Sequence, residues 1–112
     1  MARASYMTRV STMGVEPGVT TNNYPYPALD EIECCRRWLR EFAKPTKTIR
    51  PTSSYYYKHQ VENWAARAGE SRYISNGAFI VAATIEGIRW ERASDRSPNA
   101  CFAMSVRKAT RP

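Results

Sequence analysis

Apolar residues recur along the chain at two different periods. Between Ala28 and Ala43, Ile32, Cys35, Leu39 and Phe42 follow one another at spacings of 3, 4 and 3, which lines one face of an α-helix. Asp30, Glu31 and Glu33 sit in its early turns, and Arg36, Arg37, Arg40 and Lys44 toward its end. That order complements the helix dipole. Pro45 stops the helix. Trp38 falls off the centre of the stripe and is expected to be half exposed. A second helix, Ser54–Ala68, begins after Thr52 or Ser53 as N-cap. It carries Tyr57, Val61, Trp64 and Ala68 at spacings of 4, 3 and 4 and ends at Gly69. After the connection 70–74, Ser75 caps a third helix, Asn76–Glu86, closed by Gly87. This helix is apolar nearly all round, which predicts the central buried element. From Ile88 the period drops to two. Ile88–Arg92 and Phe102–Val106 alternate around the turn formers of 94–99, so a β-hairpin closes the domain.

The segment 1–27 reads differently. Gly14, Pro17, Gly18, Pro25 and Pro27, with many Ser, Thr and Asn and no apolar period, predict a flexible N-terminal arm. Its extended Tyr24-Pro25-Tyr26-Pro27 step would use the two tyrosines as anchors. The expected organisation is an arm over 1–27, an α+β domain over 28–106 and a basic tail over 107–112. The domain is built of three helices and a C-terminal hairpin. Its expected core is Ile32, Leu39, Phe42, Val61, Trp64, Phe79, Ile80, Ala83, Ile88, Trp90, Phe102 and Met104.

A length of 112 residues fits one domain with a small core. The longest strongly apolar run, Ala78–Ala83, is far short of a bilayer span, so no membrane is expected. The N-terminus lacks an apolar leader, and a cytoplasmic location is expected. Cys34, Cys35 and Cys101 are odd in number and form no Cys-x-x-Cys, which predicts reduced packing cysteines. His59 is the one histidine and has no nucleophile identifiable beside it. Ser53, Ser54 and Ser75 lack a nucleophile elbow, and Gly77 and Gly87 form no phosphate loop. The dipole role explains Asp30, Glu31 and Glu33 without a metal. The chain is therefore expected to be non-enzymatic, with no catalytic residue, metal or cofactor.

Charge points instead to an anionic partner. Lys and Arg number 17 against 10 Asp and Glu, a formal +7. The window 36–50 holds six bases, Arg36, Arg37, Arg40, Lys44, Lys47 and Arg50, and one acid, Glu41. Arg89, Arg92 and Arg96 form a second set, with Arg107, Lys108 and Arg111 after. Guanidinium groups pair with phosphate or carboxylate, so the partner is nucleic acid or an acidic protein surface. In Tyr55-Tyr56-Tyr57, successive residues project about 100° apart on a helix. Tyr57 is expected inside, leaving Tyr55, Tyr56 and Lys58 as anchors for a partner protein.

Helix two over 54–68, the turn 69–74, helix three over 75–86 and a wing over 88–106 together resemble a winged helix-turn-helix domain. The resemblance implies nucleic-acid binding. Arg89, Arg92 and Arg96 would grip phosphates from the wing. The free N–H groups at Ser75 and Asn76 would approach the backbone. Arg36, Arg37, Arg40, Lys47 and Arg50 would add contacts. Helix three offers Asn76, Thr84 and Glu86 but no Arg or Lys, so arginine readout of guanine is not expected from it. The string Tyr73–Ile80 is similar to short proteins of phages and plasmids. The alternative is thus a mobile-element-encoded, anti-CRISPR-like inhibitor or adaptor acting on a host defence complex. A homodimer is compatible with either reading.

Overall fold

A computed structural model describes residues 10–16 and 24–107, and it has the expected α+β class. Three helices, α1 (Leu29–Phe42), α2 (Ser54–Arg67) and α3 (Asn76–Ile85), combine with six short strands. The strands are β1 (Val10–Ser11), β2 (Gly14–Val15), β3 (Ala43–Pro45), β4 (Trp90–Arg92), β5 (Ala100–Phe102) and β6 (Met104–Val106). They pair antiparallel as β1–β2, β3–β6 and β4–β5. Of the basic tail, only Arg107 lies within the described residues.

The third helix is the interior of the molecule, as its sequence predicts. Ser75 Oγ accepts from the Ala78 N–H at 3.1 Å, and every residue from Asn76 to Ala83 is buried. Both α1 and α2 pack against it. Phe79 centres an aromatic cluster: it stacks on Tyr57 at 5.4 Å and meets Phe102 at 5.3 Å and Trp38 at 5.9 Å, separations at which ring pairs attract. Trp38 is fully buried, contrary to expectation. Both α2 and α3 contact α1, so the covered arc widens from the Ile32–Cys35–Leu39 line to include Cys34 and Trp38. The same burial pushes the Cys34 and Cys35 thiols up, and all three cysteines are free. Trp64 and Trp90, expected in the core, lie half-buried at its margin. Trp90 Nε1 donates to Thr84 Oγ1 at 2.8 Å.

The return strand departs from simple alternation. Phe102, Ala103 and Met104 are all buried, although neighbouring side chains of a strand point to opposite faces, so the chain is covered on both sides here. The chain bends at Ala103 and changes partner. Before the bend, Phe102 faces Trp90; after it, Met104 faces Pro45 and Val106 faces Ala43. Ala103 joins both sides, donating to Arg89 O and accepting from Thr46 N, each at 2.9 Å.

Residues 10–16, expected within a loose arm, belong to the domain. Val10 faces Val15 in a tight hairpin whose Ser11, Val15 and Glu16 are buried. Backbone hydrogen bonds hold it, from Val15 N to Pro98 O at 2.8 Å and from Gly77 N to Thr12 O at 3.3 Å. Gly77 lets it close, since a Cβ there would stand 1.6 Å from Ser11 O. Tyr24 and Tyr26 are exposed and do not anchor the segment. Among the described residues no helix is long and apolar enough to cross a membrane.

Candidate nucleic-acid interface

The basic window 36–50 divides where α1 ends, at Phe42. Its first half is paired. Arg36 reaches Glu33 at 2.8 Å and Glu86 at 2.7 Å, Arg40 reaches Glu86 at 3.1 Å, and Arg37 reaches Glu70 at 3.3 Å. Arg37 also lies over the Trp64 ring. Three arginines thus meet three carboxylates. Hydrogen bonding from Arg36 holds the Glu86 carboxyl below the usual range, and Arg40 adds to this against a smaller opposing effect of burial. These side chains tie α1 to the end of α3 and to the turn after α2. They add little field beyond the surface.

The second half is open. Lys44, Lys47 and Arg50 are exposed, and none has an ion-pair partner among the described residues. Their backbone is fixed against the bent strand: Thr46 N donates to Ala103 O and Arg50 N to Phe102 O, both at 2.9 Å. Arg89 donates to Lys47 O, which brings a further cation beside the linker. Arg107 follows β6; it bonds Glu41 O at 2.8 Å and Glu41 Oε2 at 3.0 Å and lies 5.0 Å from the Phe42 ring centroid.

This basic face borders a groove of about 790 Å³ between the start of α2 and β6. Trp38 and Tyr57 contribute its aromatic lining, with Arg50, Tyr56, Gln60 and Arg107 around them. Among the described residues no carboxylate lines it, and the buried Trp38 indole N–H has no hydrogen-bond acceptor. Burial pushes the Tyr57 phenol up, against a hydrogen bond with Thr52, so its hydroxyl stays protonated. Tyr56 meets Tyr57 edge to face at 5.6 Å, and more than half of it remains open to solvent.

Several residues singled out in the sequence serve other ends. Ser75 and Asn76 are buried. The β1–β2 hairpin covers the start of α3, and Asn76 Nδ2 donates to Met13 O at 3.0 Å and Asn99 Oδ1 at 3.0 Å. That helix end is closed to a phosphate. Arg92 donates to Glu16 O at 2.7 Å and Ser97 O at 3.1 Å, binding the hairpin segment to the turn between β4 and β5. Arg96 is exposed in that turn with a φ of 65°. Lys58 is no surface anchor: it is buried, 3.2 Å from Glu62 and 4.4 Å from the Tyr73 ring centroid. Burial pushes the Glu62 carboxyl up, but the Ile74 N–H, Lys58 and His59 outweigh it and hold the group below its ordinary range. His59 bonds Glu62 at 2.9 Å. Tyr55 is exposed and meets His59 edge to face. Among the described residues no His, Cys, Asp and Glu group is placed to hold a metal ion.

Trp38 and Gln60 entered no sequence-based site, and Arg107 entered only as a base following the second set. Gln60 lies one helical turn beyond Tyr56, a spacing that places the two on one face and was readable. Arg107 follows an alternating strand and joins the site through a pairing with β3 that no local pattern announces. No family model, curated protein or solved structure matches the chain.

Proposed function

We propose that the protein is a non-enzymatic nucleic-acid binder whose contact surface is the 44–50 linker flanked by Arg89 and Arg107. The observation that carries this reading is the split of the basic window. Among the described residues, Lys44, Lys47 and Arg50 stand exposed without carboxylate partners, beside a groove that no carboxylate lines. Such a face attracts the phosphate backbone independently of sequence. The burial of α3 argues against insertion of that helix into a DNA groove, so phosphate contacts dominate over base reading. A mobility-shift titration of the full chain at two salt concentrations tests this. Binding should weaken steeply with salt, and absence of binding at low salt overturns it.

A second reading, an inhibitor or adaptor directed at a protein, draws on a different surface. Leu29 and Tyr73 are both exposed, and the Arg72–Asp30 ion pair at 3.0 Å joins their segments. Loss of a stoichiometric protein partner on Leu29→Asp, with nucleic-acid affinity unchanged, would favour that reading.

A further inference from the structure

Phosphate contact by the linker does not account for the groove beside it. A surface that only follows phosphates needs exposed cations, yet this groove continues inward to aromatic rings. Its depth brings together three kinds of group. Arg50 and Arg107 supply positive charge. Tyr56 presents an exposed ring whose position is set by the edge-to-face contact with Tyr57. Gln60 supplies a hydrogen-bonding amide.

We infer that this groove receives one unpaired base of a single-stranded nucleic acid. The inference rests on the reading of the linker as a nucleic-acid surface and names its substrate class. The base stacks on Tyr56. Gln60 meets a donor or acceptor on its edge. The flanking phosphates lie toward Arg50 and Arg107. Glu41 partly offsets Arg107, which it meets at 3.0 Å, so Arg50 is the stronger phosphate contact. A volume of about 790 Å³ lies within the range of sites that take small ligands. It suits a nucleotide rather than a duplex, whose bases are stacked and paired. Every base has a face that can stack, and an amide offers both donor and acceptor, so sequence preference is weak.

The test compares strands of about ten nucleotides, within the usual range of single-strand site sizes. A natural DNA strand, an RNA strand, an abasic DNA strand and a duplex are titrated with the full chain at low salt. The natural single strand should bind about five-fold or more tighter than the abasic one, the effect of removing one stacked base. Tyr56→Ala should bring the natural strand down to the abasic level and leave abasic affinity unchanged. Lys47→Ala should weaken both alike. The DNA and RNA arms identify which strand the groove prefers. A second readout does not depend on affinity. The Trp38 indole N–H resonance, identified by its loss in Trp38→Phe, should move with the natural strand and stay still with the abasic one. Equal binding of natural and abasic strands, with a still indole signal, overturns the base pocket but leaves the linker reading intact. Failure of every strand to bind at low salt overturns both.

Discussion

The two halves of the basic window carry three cations each and have opposite fates. Arg36, Arg37 and Arg40 lie on α1 within reach of Glu33, Glu70 and Glu86. After α1, Lys44, Lys47 and Arg50 lie on β3 and the linker beyond it, with no ion-pair partner among the described residues. The difference comes from what the backbone is doing. A helix packed on its neighbours brings carboxylates from several elements to its flank, and opposite charges there neutralise one another at close range. A linker held by its own N–H groups against a strand keeps its side chains outward. Charge counted along a sequence therefore overstates charge presented to a partner.

The comparison can be broken most severely through the interior it depends on. If α3 is the centre, Phe79→Ala should cost about 3–5 kcal/mol in denaturant unfolding. A loss under about 1 kcal/mol, too small for a buried phenylalanine, would put that helix at the surface and return it to the candidate interface. Next comes Gly77→Ala. Its new Cβ meets Ser11 O, so it should cost about 1–3 kcal/mol, the usual penalty for overpacking, and make 10–16 more sensitive to protease. Unchanged protection there would mean that the hairpin does not seal the start of α3.

Two paired substitutions address the window itself. Lys47→Ala with Arg50→Ala should reduce the salt slope of strand binding by about two, since each removed cation no longer neutralises a phosphate. The thermal midpoint should barely move. Arg36→Ala with Arg40→Ala should do the reverse, lowering the thermal midpoint while affinity stays within about two-fold, as expected when charges already paired are removed. Equal effects of the two pairs on affinity would erase the distinction.

The smallest expected effect is in acid. Glu62 and Glu86 both titrate below the ordinary carboxylate range in the fold. Their stabilising contribution is therefore complete above the unfolded-state pKa and fades as pH falls through the lowered folded values. Glu86→Gln should make unfolding less steeply dependent on pH on the acid side, while the linker pair should leave that dependence unchanged. Thermal melts at a series of acid pH values separate the two.

Much of the scaffold was legible because its signals are local. The apolar period of α1, the Ser75 cap, and the unbroken apolar run of α3 each act within a few residues. What escaped depends on distant partners. Trp38 looks marginal from its own helix and is buried because two other helices cover it. The 10–16 hairpin is held by backbone hydrogen bonds, to which the side-chain pattern is blind. The bend at Ala103 accompanies three successive buried residues whose neighbours come from opposite sides. At the site, the cations of the linker were visible, but which arginines were already paired was not, because Glu70 and Glu86 lie far along the chain. Ser75 and Asn76 suggest an open helix end only because the segment covering them looks unstructured by composition.

The change of partner at Ala103 also bears on how the molecule assembles. The hold of Arg107 on Glu41 joins positions 66 residues apart, and the pairing of β6 with β3 bridges nearly as long a stretch. Closing so long a stretch of chain costs entropy before any contact repays it, and pairings of this kind slow folding. The linker has its fixed course only once that closure is made. Hydrogen exchange at the Thr46 and Arg50 amides should accordingly require opening on the scale of the whole domain, whereas a free peptide carrying Lys44 to Gln60 would bring the charges without the geometry.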